Sequence, residues 1–209
     1  VLIEADALVY QEAEEEGCRI VYGNALDDRV LRGAGIESRR AVIGALGNGA
    51  TNLMFARKAR HEHRVPAGYV ALPRQNGGIT AAMAEDEGVR ILFGGEFDMD
   101  LWRSRLRRER ARVETWRFAG APESREKNGV APDTPAAIGK GNLLLPLVWR
   151  HGKRSRPVDE RVRLVKGDDC TWLIAADRTD EAHELLTGLG WQPASEPEAA
   201  SPETEVRGD

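Results

Sequence analysis

The stretch VYGNALDDRVLRGAGI, from Val21 to Ile36, decides the fold of the first half of the chain. An apolar run ends at Gly23-Asn24, and a short apolar-periodic segment with acids at Asp27 and Asp28 follows at once. The stretch predicts a strand, a tight turn and a helix, because acids in a first helical turn complement the positive end of the helix dipole. A plain α/β packing unit has this order, and so does a nucleotide site. Both interpretations stay open at this point.

Outward from this stretch, apolar strands alternate with short amphipathic helices. The predicted strands are VLIE (1–4), CRIVY (18–22), AVIGAL (41–46), GYVAL (68–72) and VRILFG (89–94). Strands that alternate with helices of 8 to 15 residues predict βαβ units, and right-handed crossovers place helices on both faces of the sheet. We therefore expect an α/β fold with one open, mainly parallel sheet of five strands.

The pattern changes after residue 96. A helix, MDLWRSRLRRERAR, and a strand, VETWRF, come first; a segment rich in Gly, Pro and Lys follows, and then strands and one last helix. These features predict a small α+β unit. The predicted domains are a Rossmann-like domain at 1–96, a linker helix and strand at 97–118, a flexible loop at 119–141, an α+β subdomain at 142–193 and a disordered tail at 194–209.

Composition excludes several classes of protein. The 30 basic and 34 acidic residues are mostly interleaved and give a formal charge of −4, so no basic face for nucleic acid is expected. The basic run from Arg103 to Arg112 is interpreted as a solvated helix face rather than a patch for phosphate or lipid headgroups. No apolar run approaches the ~18 residues that span a bilayer.

Cysteines and histidines indicate neither a disulfide framework nor a metal site. Cys18 and Cys170 form no CxxC pair and each falls in a predicted strand, so we expect buried, reduced thiols. The four histidines show no metal-ligand spacing, and the two in HEH, His61 and His63, would not share a helix face. We predict no metal ion.

The segment VYGNALDDRVLRGAGIESRRAVIGALGNGATNLMFARKAR resembles the N-terminal half of RCK domains. Those domains are dinucleotide-type cytosolic modules that regulate potassium channels, Trk-type potassium uptake systems and cation/proton antiporters. The similarity covers about residues 1–95. The matching motifs are Gly23-Asn24-Ala25, Gly33-Ala34-Gly35-Ile36, Ala41 to Leu46, and Thr51-Asn52.

The second unit resembles the small C-terminal companion of RCK domains. Its segment LLLPLVWRHGKRSRPVDERVRLVKGDDCTWLIAADRTDEAHELL has a basic hairpin and a GDD turn before the last helix. With the tryptophan-containing segment between the units, the combination looks most like the cytosolic tail of bacterial sodium/proton antiporters. That resemblance implies a homodimer on the cytoplasmic side of the inner membrane, joined to a membrane antiporter domain in the same polypeptide or complex.

Two departures from the RCK pattern concern the ligand site. The glycine-rich G-x-G-x-x-G turn that approaches a pyrophosphate does not occur in the sequence, and Val1 to Glu4 corresponds to the second strand of the fold. The expected fold is therefore a truncated Rossmann-like sheet, and the sequence is expected to be part of a longer polypeptide. The turn is either upstream or lost. Asn24 also stands where the family usually has an acid.

Ligands of open parallel sheets bind beyond the carboxyl ends of the strands. Glu4 ends the first strand and would accept hydrogen bonds from ribose hydroxyls, Asn24 would reach an adenine edge or ribose, and Arg74 would pair with a phosphate. The alternatives are a surface acid, a turn residue and a solvated side chain; for Asn52 the alternative is a helix-start cap. The predicted ligand is NAD(H) or an adenine nucleotide, at a weak or incomplete site. The full predicted set is Glu4, Asn24, Ala25, Leu46, Gly47, Asn48, Asn52 and Arg74.

Three functions remain open from the sequence. The leading hypothesis is a non-enzymatic regulatory module of a monovalent cation/proton antiporter. The second is a peripheral regulatory subunit of a potassium uptake system. The third is a NAD-dependent oxidoreductase, since the same fold hosts dehydrogenases. No Tyr-x-x-x-Lys pair occurs, and no histidine is expected beside an acid at a strand end, which argues against the enzyme.

Overall fold

A computed structural model describes residues 1–74, 78–120 and 142–194. The chain divides into a first unit, Val1–Ser104 with Val158–Arg161, and a second unit, Arg105–Pro157 with Val162–Asp209. Apart from residues 119, 120 and 194, the predicted loop at 119–141 and tail at 194–209 lie outside the described residues. Within the described ranges, no helix is long and apolar enough to cross a membrane.

The first unit alternates strands with helices, as the sequence predicts. Its elements are β1 (Leu2–Glu4), α1 (Ala7–Glu15), β2 (Ile20–Tyr22), α2 (Asp28–Gly33), a 3₁₀ turn (Ile36–Ser38), β3 (Ala41–Gly44), α3 (Gly49–His61), β4 (Ala67–Pro73), α4 (Ala81–Asp86) and β5 (Arg90–Phe97). α5 (Met99–Arg107) follows and crosses the boundary between the units.

The first unit confirms the α/β fold class, because all its strand pairs are parallel. β1 pairs with β2, and β3 pairs with β4, which pairs with β5. The prediction of one continuous sheet is wrong for the described residues, where these strands form a two-stranded and a three-stranded sheet. β1 and β3 do not pair with each other, because no described strand lies between them; both line an apolar cavity.

Aspartate side chains cap the starts of α1 and α2 in the first unit. Asp6 Oδ1 accepts from the backbone N–H of Leu8 at 2.9 Å, and Asp27 Oδ1 accepts from that of Arg29 at 2.7 Å. These bonds satisfy donors that a helix start leaves without partners. α1 and α2 therefore begin directly after the turns that follow β1 and β2. The buried core behind these elements includes Leu31, Ile36, Val42, Leu53, Val70 and Ile91.

Arg60 on α3 passes between two glycines. A Cβ at Gly68 would lie 3.0 Å from Arg60 Cδ, and a Cβ at Gly88 would lie 2.7 Å from Arg60 Nη1. Gly88 also has a φ of +62°, which side chains rarely adopt. The guanidinium donates to the carbonyl of Glu87 at 2.7 Å. Arg60 thus joins α3 to the segment that precedes β5.

Within the described residues, the second unit comprises β6 (Ala111–Phe118), β7 (Leu144–His151), β8 (Arg154–Pro157), β9 (Asp169–Ala175), a 3₁₀ turn (Ala176–Arg178), α6 (Thr179–Gly188) and β10 (Trp191–Pro193). Its strands form an antiparallel sheet in the order β10-β6-β9-β7-β8. The predicted helix through residue 112 is wrong at its end, since α5 stops at Arg107 and β6 starts at Ala111. β6, predicted as part of a linker, lies between β10 and β9.

Tryptophans form much of the core of the second unit. Trp172 and Trp191 are fully buried with ring centroids 5.5 Å apart in an edge-to-face arrangement, and Trp116 is 2% exposed. Such large aromatic side chains bury enough area to stabilise a small sheet. The cysteines differ from prediction: Cys170 is buried in β9, whereas Cys18 precedes β2 and is exposed.

Candidate functional site

A cavity in the first unit has a volume of about 560 Å³ and extends along β1 and β3 to their carboxyl ends. Five of the eight predicted site residues line it, and these are Glu4, Asn24, Ala25, Leu46 and Asn52. Gly47, Asn48 and Arg74 are not part of the lining. The residues that end β1, β2 and β3 therefore meet at one place, as expected for parallel strands.

The side chain of Glu4, at the end of β1, is bound by backbone groups of the turn that follows. Glu4 Oε1 accepts from the backbone N–H groups of Ala5 at 2.8 Å and Asp6 at 2.9 Å. The Glu4 carbonyl accepts from Gly23 N–H at 2.8 Å, which fixes the end of β1 beside the end of β2. Glu4 is therefore a half-buried carboxylate whose orientation is set before any ligand arrives.

Asn24 forms a turn of its own at the end of β2. Its Oδ1 accepts from Leu26 N–H at 2.9 Å, the side-chain turn that Asn favours after a strand. The turn directs Ala25 into the cavity lining. Because its side-chain oxygen already accepts from Leu26 N–H, Asn24 would interact with a ligand by donating from its amide nitrogen.

Asn52 is bound entirely by the protein. It is fully buried, its Oδ1 accepts from Leu46 N–H at 2.8 Å, and its Nδ2 donates to the carbonyls of Leu46 at 2.9 Å and Ala71 at 3.1 Å. These bonds join the end of β3 to β4 through α3. Asn52 thus acts as a structural bridge between the strands.

A helix-start cap was the alternative interpretation of Asn52, but the residue that caps α3 is Asn48. Asn48 Oδ1 accepts from the Thr51 backbone N–H at 2.9 Å and from the Thr51 hydroxyl at 3.2 Å. The side-chain oxygen of Asn48 is therefore engaged by the first turn of α3. Its prediction as a ligand contact has no support from the cavity lining.

Arg74 and Gly47 lie outside the cavity lining. Arg74 is exposed after β4, and its backbone N–H donates to Phe97 carbonyl at 3.0 Å. A Cβ at Gly47 would meet no atom within 4 Å. Close packing within the protein therefore does not require glycine at that position.

Arg39 is a lining residue that the sequence analysis missed. Its Nε and Nη2 donate to the Ala34 carbonyl at 3.2 and 2.6 Å, beside Gly35 with a φ of +68°. The guanidinium adds a positive charge to a cavity that also contains the Glu4 carboxylate. No motif marks Arg39 in the sequence, because its position depends on the left-handed turn at Gly35.

A buried carboxylate in the second unit was also missed. Asp168 is fully buried and accepts from Trp149 Nε1 at 2.8 Å, from the Val165 N–H at 2.8 Å and from His151 Nδ1 at 2.6 Å. His151 ends β7, so the expectation that no histidine lies beside an acid at a strand end is wrong. Burial raises the pKa of the Cys170 thiol well above its usual range, and the Asp168 charge adds to that effect.

An ion-pair cluster on α2 and α3 has donor types that suit a metal, but a lysine lies inside it. The ligand atoms of Asp28, Glu62 and His63 lie within 4.8 Å of one another. Lys58 Nζ lies 2.9 Å from Asp28 Oδ1 and 2.7 Å from Glu62 Oε2. Its hydrogen bond is the main cause that lowers the pKa of Asp28, and Glu62 in turn raises the pKa of Lys58. The Lys58 ammonium is therefore the cation of this cluster.

Residues 1–77 match the family model of the TrkA-N domain. The match covers less than half of the chain, and it supports the resemblance of this part to an RCK/Trk-like regulatory domain. The match includes β1 to β4 and every predicted site residue. No curated protein matches the chain.

Several solved structures are similar at low identity. The TrkA-N domain of the inner membrane protein YbaL from Escherichia coli is 20% identical with a TM-score of 0.38, over 51% of this chain and 74% of that one. The GsuK RCK domain is 13% identical with a TM-score of 0.34, over 90% and 41%. The GsuK channel bound to NAD is 14% identical with a TM-score of 0.34, over 90% and 34%. The chain thus spans less than half of either GsuK structure.

Proposed function

We propose that the chain is the nucleotide-responsive regulatory part of a monovalent cation/proton antiporter, located on the cytoplasmic side of the membrane. The observation that carries the proposal is the meeting of Glu4, Asn24 and Leu46 at one cavity within the region that matches the TrkA-N family. The family match supports a role in ion transport. The polar residues at the strand ends support a ligand as the regulating signal.

The cavity supports recognition of a nucleoside more directly than recognition of a phosphate. Glu4 offers a fixed carboxylate to ribose hydroxyls, and Asn24 offers an amide donor to a base or ribose. Arg39 is the basic side chain of the lining, and it already binds the Ala34 carbonyl. We therefore expect weak binding, with most of the affinity from the nucleoside half.

A nucleotide would regulate transport only if its affinity differs between two arrangements of the module. We propose that the module acts as a homodimer, so that binding in two copies biases one shared arrangement. Its partner would be the membrane part of the antiporter, in the same polypeptide or in the same complex. A potassium uptake system would use the same module as a separate subunit.

The oxidoreductase alternative has less support from the cavity. Among the described residues, its lining contains no histidine, tyrosine, lysine or cysteine that would move a proton during hydride transfer. Glu4 is already held by two backbone donors. We therefore propose a binding role for this cavity.

Isothermal titration with NADH, NAD and ATP tests the proposal, with Glu4→Gln as the central variant. Glu4→Gln keeps the shape and removes the charge, and a hydrogen bond to a charged group contributes about 1.5–3 kcal/mol, so affinity should fall by roughly 10- to 150-fold. Glu85→Gln on α4 is the matched control, because Glu85 is exposed and outside the lining. Binding that Glu4→Gln leaves unchanged would refute this site, and no binding of any nucleotide would refute the proposed function.

A further inference from the structure

A histidine beside the ion-pair cluster of α2 and α3 is buried without a hydrogen bond. His63 follows the end of α3, and its side chain is only 9% exposed. Among the described residues, its Nε2 atom has no hydrogen-bond partner. Asp28 Oδ1 lies 3.4 Å away, which is longer than a usual hydrogen bond. Buried polar atoms nearly always have a partner, and a bound ion is one group that satisfies such an atom.

Three donor atoms converge at this place. Asp28 is the first residue of α2, and Glu62 is the residue that ends α3. Carboxylate oxygens of both lie, with His63 Nε2, within 4.8 Å of one another. Two ligands that each lie about 2.0–2.2 Å from a tetrahedral metal ion are about 3.4 Å apart. Asp28 Oδ1 and His63 Nε2 already have this separation, and Glu62, 57% exposed, is free to adjust.

A cation already lies between the two carboxylates of the cluster. Lys58 Nζ is 2.9 Å from Asp28 Oδ1 and 2.7 Å from Glu62 Oε2. The acids are therefore arranged around one positive charge. The ammonium satisfies the two carboxylates but leaves His63 Nε2 without a partner. A metal ion would bind all three donor atoms.

We propose that Asp28, Glu62 and His63 form a zinc site, in which the bound ion displaces the Lys58 ammonium into solvent. Zn²⁺ fits this set because it accepts imidazole nitrogen and carboxylate oxygen together, with water as the fourth ligand. Ca²⁺ and Mg²⁺ prefer oxygen ligands alone. The displaced lysine keeps its proton, and the histidine binds as neutral imidazole. Lys58 and Zn²⁺ are thus alternative cations of one site.

The bound ion would join the start of α2 to the end of α3. It reaches the zinc site from solvent, since the side chains of Asp28 and Glu62 are about half exposed. None of the three ligands lines the cavity along β1 and β3. The zinc site is therefore separate from the proposed nucleotide site, and the inference does not depend on the proposed function.

Isothermal titration of the full chain with Zn²⁺ tests the zinc site, with His63→Gln and Lys58→Met as the central variants. All samples carry Cys18→Ser, because an exposed thiol also binds zinc. His61→Gln is the matched control, since His61 is two residues away, 63% exposed and 3.5 Å from Glu87. Proton–nitrogen NMR of the histidine rings identifies the imidazole that binds, and circular dichroism checks that each variant is folded.

We expect one Zn²⁺ per chain and a shift of the His63 Nε2 resonance on binding. His63→Gln should lower the affinity by about tenfold or more, because the loss of even a supporting residue costs a metal site that much. Lys58→Met should raise the affinity by roughly 2- to 30-fold, since two ion pairs no longer oppose the ion. His61→Gln should leave the affinity unchanged, and Mg²⁺ should not shift the His63 resonance.

Three results would overturn the proposal. The first is zinc binding that His61→Gln removes and His63→Gln leaves unchanged, which would indicate the exposed pair of His61 and Glu87. The second is no zinc binding with lysine or with methionine at position 58, which would leave an ion-pair cluster closed by Lys58. The third is an affinity that Lys58→Met leaves unchanged or lowers, because displacement of the ammonium requires an increase.

Discussion

Asn52→Ala is the substitution that best separates a structural role from a ligand role in the first unit. The change removes three hydrogen bonds, two to Leu46 and one to Ala71. Each such bond contributes about 1 kcal/mol net, and a buried group left without a partner costs about 1–3 kcal/mol. Ala71 is fully buried, whereas Leu46 is 45% exposed and regains water. We therefore expect a loss of about 2–4 kcal/mol in the free energy of unfolding of the first unit.

Urea unfolding followed by far-UV circular dichroism measures this loss. With a slope of about 1–3 kcal/mol per molar urea, the midpoint should fall by roughly 0.7–4 M. Hydrogen exchange of the Leu46 amide should accelerate in the native state, because Asn52 is its bonding partner. Asn48→Ala is the matched control: it removes the α3 cap and should cost only about 1 kcal/mol.

A small effect of Asn52→Ala on stability would refute the structural role of this side chain. If Asn52→Ala changed the free energy of unfolding by less than about 0.5 kcal/mol, the three hydrogen bonds of Asn52 could not be structural in the way described. If Asn52→Ala also removed nucleotide binding at unchanged stability, Asn52 would be a residue that contacts the ligand. Asn52→Asp is a second test of the structural role. It keeps the shape and the acceptor oxygen of the side chain, but it places a buried carboxylate beside the two carbonyl oxygens that accept from Asn52 Nδ2.

Three further predictions concern single positions. Gly44→Ala should destabilise the first unit by about 1–3 kcal/mol in the same urea assay, since its Cβ would lie 2.9 Å from backbone atoms of α3; an unchanged midpoint would contradict this packing. At pH 8, one thiol of the native chain should react quickly with a disulfide reagent, and Cys18→Ser should abolish that reaction. Cys170 is fully buried and has a raised pKa, so it should react only after unfolding. Fast labelling of both thiols in the native chain would contradict the burial of Cys170. Asp168→Ala should cost the second unit about 2–4 kcal/mol and change Trp149 fluorescence, because three donors lose their acceptor; stability equal to wild type would show that water replaces the carboxylate.

Local patterns in the sequence were sufficient for the α/β fold class. Apolar runs bounded by glycine and acids mark β1 to β5, since strand length and helix period are local properties. The carboxyl ends of these strands identified Glu4, Asn24 and Leu46 as neighbours around one cavity. That inference needs only the rule that parallel strands end at the same edge.

Features that depend on distant partners could not be predicted in the same way. The sequence of β6 is equally compatible with a strand in a linker and with a strand inside a sheet. Its pairing with β9 and β10 shows that it lies inside the sheet. Asn52 bonds to residues 6 and 19 positions away, and Asp168 to side chains 17 and 19 positions away. Cys18 was expected in a strand because its neighbours are apolar, but β2 begins at Ile20.

The packing of Arg60 between Gly68 and Gly88 restricts which residues related sequences can have at these three positions. A Cβ at position 88 would lie 2.7 Å from the guanidinium and a Cβ at position 68 would lie 3.0 Å from Cδ of the same arginine, so a side chain at either glycine requires the arginine to shift. Position 88 also keeps a positive φ, so it is the more restricted of the two. Among related sequences, these three positions should vary as a set: alanine at 68 should accompany a short residue at 60, and an arginine at 60 should accompany both glycines.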